Sequence, residues 1–207
     1  MADSRKKTTH FKKRNIPQPV VRPKEESDLQ FRADRIGRYF RQNLDRFVFA
    51  ELSEQYLEKT GSGHIMKGVP VPLRQEDLNQ FRGGAGIPPN VLAENLVWVI
   101  GCDPHFRYIT QYISFLSRLL PRKLTDSIIK KGRDAAEQQQ FDTACIHFRA
   151  ALCIQHDNLH AMYSYARVCR SIALERDDPE ATGRFAAESL DWLELLTETH
   201  QIGRAHV

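Results

Sequence analysis

The sequence predicts an all-α protein built from antiparallel helical hairpins. Three observations predict it. Apolar residues recur at steps of three and four in segment after segment, the spacing that places them on one face of a helix. Gly and Pro stand mostly between those segments, where they punctuate helices. No convincing strand separates one helix from the next. Hydrophobic residues make up 41% of the 207 and charged residues 27%, a balance that suits a soluble globular chain.

Residues 1–27 read as a disordered basic arm, polar and Pro-rich, with little to bury. Residues 1–25 hold eight Lys or Arg against Asp3 and Glu25, a local charge of +6 in a chain of +4 overall. An N-terminal helical region follows over 28–120. Ser27 offers an N-cap to one long helix through Lys59, with Leu29, Ala33, Ile36, Phe40, Leu44, Phe47, Val48 and Leu52 as its apolar face, ended by Gly61 and Gly63. "GSGHIMKGVPVPL" reads as an extended loop and "RQEDLNQF" as a short helix stopped by "GGAG". Pro88 and Pro89 open a mostly buried helix, "NVLAENLVWVIGC". Asp103 and Pro104 provide a cap and first turn for "HFRYITQYISFLSRLL", which Pro121 breaks. Helical hairpins fill 121–200: "DSIIKKGRDAAEQQ" with "FDTACIHFRAALCIQ", then "LHAMYSYARVCRSIALER" with a helix begun by Asp178 and Pro179.

The segment 125–158 resembles a tetratricopeptide repeat (TPR), a helix pair of about 34 residues. With Thr125 as its first position, Gly132 falls on the small eighth place and Phe141 on the aromatic seventeenth. Ala144, Phe148 and Ala151 fall on the places of the second helix that pack on the first. Lys131, Ala135 and His156 depart from the family pattern. A second, degenerate copy begins at Leu159, with Ala161 and Ala166 in register. Ala186, Leu190 and Leu193 repeat the spacing of Ala144, Phe148 and Ala151 about two helical turns late.

The resemblance implies a non-enzymatic scaffold that binds a protein or peptide partner in a groove lined by Arg133, His160, Tyr163, Arg167 and Arg170. The aromatic and guanidinium groups there suit an acidic, partly apolar peptide. The asparagines of the family's carboxylate clamp are absent.

The final "IGRAHV" resembles a translated sequencing adapter. This predicts that 201–207 are an artefact, that the authentic chain continues past His200, and that Trp192, Leu195 or Leu196 is left partly exposed at an unfinished interface.

Other chemistry is weaker in the sequence. Cys145, Cys153, His156 and His160 are ligand types without the tight knuckle of a zinc site, and the helical phase turns them apart. They read as a buried Cys, a surface Cys and turn histidines. Cys102, Asp103 and His105 are adjacent in sequence, which does not bring a nucleophile and base together. The glycine-rich loops lack GK[ST] and GxGxxG. No catalytic residue, metal or cofactor is therefore expected. No apolar run is long enough to span a bilayer, no signal peptide is evident, and unpaired thiols indicate the cytoplasm. The arm supplies an alternative, a nucleic-acid- or ribosome-associated factor in which Arg5, Lys6, Lys7, Lys12, Lys13 and Arg14 contact phosphates.

Overall fold

A computed structural model describes residues 34–78, 86–120 and 123–205, with side chains as far as Glu198. The basic arm, the start of the first expected helix, "GGA" of the glycine loop, Pro121 and the last two residues lie outside the described residues. Among those described, the protein is all-α apart from one small ribbon. Its elements are α1 (Gly37–Arg41), a 3-10 turn (Gln42–Arg46), β1 (Phe47–Glu51), α2 (Glu54–Thr60), α3 (Gly63–Met66) and β2 (Pro70–Arg74). They continue with α4 (Pro89–Cys102), α5 (Ile109–Leu119), α6 (Leu124–Glu137), α7 (Phe141–Ile154), α8 (Leu159–Glu175) and α9 (Pro179–Ala205). No helix among the described residues is long and apolar enough to cross a membrane.

The single long helix expected through Lys59 is instead α1, the 3-10 turn, β1 and α2. The reason lies in "FVFAE". Aromatic and β-branched residues suit a pleated surface, and this segment pairs antiparallel with β2, Phe47 opposite Arg74 and Phe49 opposite Pro72. The supposed loop "VPVPL" is therefore a strand. Its prolines are tolerated because a two-stranded ribbon has only edge strands. The proline carbonyls are used from outside: Asn95 Nδ2 donates to Pro72 O at 3.2 Å, and Tyr112 Oη to Pro70 O at 2.5 Å. These bonds fix the ribbon to α4 and α5. Gly61 does end α2, in the left-handed conformation, with Ser62 N bonded to Leu57 O.

A second correction concerns α5. Asp103 and Pro104 do not open this helix, which begins only at Ile109. Asp103 Oδ1 accepts from His105 N at 3.2 Å, and Phe106 N bonds to Asp103 O. The cap is spent on a separate turn.

Helix α7 is the centre of the molecule. Ala144 through Cys153 are all buried, because α4, α6 and α8 each pack on it. Two of these contacts are made by small residues. A Cβ on Gly132 of α6 would lie 2.8 Å from the Phe148 ring, and a Cβ on Gly101 of α4 would lie 2.0 Å from Ile146 O. The expected hairpin thus forms, and α4 covers its other side. Asn158 caps α8 by accepting from Ala161 N at 2.9 Å, and Asp178 Oδ1 accepts from Glu180 N at the start of α9.

In α9 the expected inward set of Ala186, Leu190 and Leu193 is out of phase by one residue. Phe185, Glu188, Ser189 and Trp192 are buried, while Leu190 is 60% exposed. Ser189 Oγ donates to Ala166 O at 2.8 Å, so Ser189 holds the place that Phe148 holds in the first hairpin. Of Trp192, Leu195 and Leu196, one or more of which the sequence expects to be partly exposed, Leu195 and Leu196 are half-buried and Trp192 is buried at 8%.

Candidate functional site

Two features stand out: an open trough between α8 and α9, and a buried polar chain behind it. The trough has a volume of about 390 Å³ and is lined by Tyr163, Arg167, Arg170, Ser171, Leu174, Ser189 and Leu193. It unites Tyr163, Arg167 and Arg170, three of the five groove residues that the sequence predicts. Arg133 on α6 and His160 at the first turn of α8 are exposed and lie outside its lining. The five residues therefore do not make one groove.

Helical phase explains the three that meet. Tyr163, Arg167, Arg170 and Leu174 follow one another at steps of four, three and four, so they form one ridge of α8. The Arg167 guanidinium lies 5.7 Å from the Tyr163 ring centroid, a cation–π distance. No carboxylate among the described residues pairs with Arg167 or Arg170. Beside these charges, Leu174 is 77% exposed and Tyr163 49%. Exposed apolar side chains next to unpaired cations can hold a ligand that is itself part apolar and part anionic.

Behind the trough, Arg149 of α7 is fully buried. Its Nη1 and Nη2 form a two-pronged pair with Asp34, each at 3.0 Å, and Nε donates to Gly101 O at 2.8 Å. Nη1 also reaches Tyr165 Oη at 3.1 Å. Tyr165 donates onward to Glu188 Oε1 at 2.8 Å, and Trp192 Nε1 donates to the same oxygen at 3.0 Å. Burial lowers the affinity of Arg149 for its proton, but Tyr165 and Asp34 outweigh this and raise it above its usual value. Burial pushes the Glu188 carboxyl up, despite its hydrogen bonds. One polar chain thus links the segment before α1 to α4, α7, α8 and α9. Arg35, which forms a 2.7 Å ion pair with Asp191, ties the same segment to α9.

Of these residues the sequence reading names only Trp192, and not for a polar role, although a signal existed. Cys145, Arg149 and Leu152 lie at steps of four and three on a face that must be buried, and Phe185, Glu188 and Trp192 lie at steps of three and four on such a face of α9. A positive and a negative charge on the buried faces of two helices ask for each other.

The cysteines and histidines lead elsewhere. All four cysteines are free and buried, so Cys153, expected at the surface, is an interior residue beside Ile100 O. Its α7 neighbours leave no face open. Cys145 Sγ lies 3.9 Å from Cys169 Sγ. Burial pushes the Cys102 and Cys153 thiols up to about 12, so neither is a thiolate at neutral pH. His156 and His160 are exposed. No group of three or more His, Cys, Asp or Glu among the described residues is placed to hold a metal ion.

His147 is buried, with Nδ1 donating to Thr143 O at 2.8 Å and Nε2 3.1 Å from Glu94 Oε1. Lys131, one of the departures from the repeat pattern, pairs with the other Glu94 oxygen. Burial opposes ionisation of Glu94, but the bonds from His147 and Lys131 outweigh it and hold the carboxyl down at about 2. The folded-state value lies below the unfolded value of about 4.5. The stabilisation is therefore present above that pH and is lost as pH falls through about 2. Glu94→Gln is expected to flatten this part of the acid limb in urea titrations at stepped pH. An unchanged limb would remove Glu94 from the acid response.

No family model, curated protein or solved structure matches the chain significantly.

Proposed function

We propose that the protein is a non-enzymatic interaction scaffold of the TPR kind, which binds an acidic, partly apolar segment of a protein partner in the trough between α8 and α9. The observation that carries this reading is the ridge of Tyr163, Arg167, Arg170 and Leu174: two guanidinium groups that pair with no carboxylate among the described residues, set among exposed apolar side chains. Apolar surface rimmed by charge is a common form of interaction site. The close helix crossings at Gly132 and Ala166 support the repeat-like architecture. Four unpaired cysteines suit work in a reducing compartment such as the cytoplasm.

A peptide library screened against the full chain tests the proposal. Acidic sequences with bulky apolar residues are expected among the binders. The double substitution Arg167→Glu with Arg170→Glu is expected to weaken them by tenfold or more. Charge-assisted hydrogen bonds contribute roughly 1.5–3 kcal/mol each, and tenfold is only ~1.4 kcal/mol. Both residues are exposed, so the circular dichroism spectrum should not change. Binders unaffected by the double substitution would place recognition elsewhere and overturn the reading.

A further inference from the structure

The two hairpins can be aligned on one contact each. In the first, Gly132 of α6 meets the Phe148 ring of α7. In the second, Ala166 O of α8 accepts from Ser189 Oγ of α9. With Gly132 matched to Ala166 and Phe148 to Ser189, Cys145 corresponds to Ala186 and Arg149 to Leu190. Cys145 and Arg149 are residues with which α7 receives α8, through Cys169 Sγ at 3.9 Å and Tyr165 Oη at 3.1 Å. Helix α8 rests on both members of the first hairpin. The receiving face of the first hairpin is therefore filled by a helix. The matching face of the second bears Leu190, 60% exposed, beside half-buried Ala186 and Leu193.

We infer that this face receives an acidic amphipathic α-helix of a partner protein, seated along α8 and α9 as α8 is seated on α6 and α7. The inference rests on the proposed interaction function and adds the conformation and residue pattern of the occupant. Charge supplies the pattern. Tyr163 and Leu174 bracket Arg167 and Arg170 over about 16 Å of α8, at 1.5 Å per residue. The complement is a helix of about three turns, with two carboxylates three or four residues apart and apolar residues on either side. An extended peptide presents only every second side chain to one surface and covers the same length with about five residues. It would match fewer of the four ridge positions. A helix in an apolar groove meets all of them.

The test uses the full chain and three synthetic peptides of about 18 residues, long enough for several helical turns. One carries two central glutamates a turn apart, flanked by leucines. The second is the same peptide with two prolines in its centre, and the third has lysines in place of the glutamates. Fluorescence anisotropy is expected to show binding of the first, at least tenfold weaker binding of the other two, and a several-fold loss with Leu190→Ser. Leu190 is exposed, so this substitution leaves the fold intact, as the circular dichroism spectrum should confirm. Equal binding of the proline peptide would overturn the helical occupant and leave the interaction reading standing. If no acidic peptide of either kind binds, both readings fall. Sedimentation equilibrium that shows a dimer lost on Leu190→Ser would also overturn the inference, since a second copy would then fill the face.

Discussion

Arg149→Met is expected to cost the fold roughly 3–5 kcal/mol, the range for removing one partner of a buried ion pair. Methionine restores much of the volume, so the loss is electrostatic rather than a cavity. Three groups lose a donor or a counter-charge: Asp34, Gly101 O and the Tyr165–Glu188 unit. They will not suffer equally. Asp34 lies just before α1, and its side chain keeps some solvent contact, 8% exposed. Glu188 is held between Tyr165 and Trp192 in the interior. Arg149 opposes the upward shift of the Glu188 carboxyl, so its removal raises that group further. A carboxyl whose folded-state value is raised contributes stability below its unfolded value and loses it as pH rises through the folded value. The variant's stability should therefore fall more steeply than the parent's as pH rises above the ordinary carboxylate range. Adding Glu188→Gln should recover part of the loss and remove the pH dependence. Urea unfolding with an unchanged slope measures both variants against the parent chain. A loss below about 1 kcal/mol, the scale of a surface pair, would show that Arg149 does not organise the core.

Which parts of this architecture were legible in the sequence follows from the range over which each is decided. The hairpins α6–α7 and α8–α9 were legible because their signals are local: steps of three and four, and Asp178 with Pro179 opening α9. The ribbon was not. "FVFAE" continues a helical pattern of apolar residues and becomes a strand only through pairing with a distant segment, Pro70–Arg74. The trough was half legible. Phase along α8 united Tyr163, Arg167 and Arg170, but Arg133 and His160 depend on how helices are placed against one another, which phase within one helix does not specify. Leu190 shows the cost of a one-residue error. Spacing alone matched it to Phe148, but the Ser189–Ala166 contact sets the register and turns Leu190 outward. Arg149 and Glu188 were overlooked because charges on a helix suggest solvent until the helix is known to be covered on every side.

Gly101→Ala is expected to destabilise the protein by about 3 kcal/mol or more, against the intrinsic preference of a helix. Inside a helix, alanine is favoured over glycine by ~1 kcal/mol. Here the new Cβ would stand 2.0 Å from Ile146 O and 2.8 Å from Ile146 C. Both are backbone atoms of the central helix, so the clash cannot be relieved by a rotamer change. Helix α4 must move off α7. Overpacking of this kind costs typically 1–3 kcal/mol, and the movement also strains the 2.8 Å bond from Arg149 Nε to Gly101 O. A hydrogen bond to a charged group contributes another ~1.5–3 kcal/mol. Together these exceed the propensity gain. Gly132→Ala is the natural comparison. Its Cβ would meet the Phe148 ring at 2.8 Å, a side chain that can tilt, so the smaller loss is expected there. The two sites also differ in their coupling to Arg149. Gly101→Ala and Arg149→Met damage the same bond, so the double variant should lose less than the sum of the single losses. Gly132→Ala lies outside that bond and should combine with Arg149→Met more nearly additively. Additive losses for Gly101 and Arg149 would mean that the close approach of α4 to α7 and the buried polar chain stabilise the fold independently.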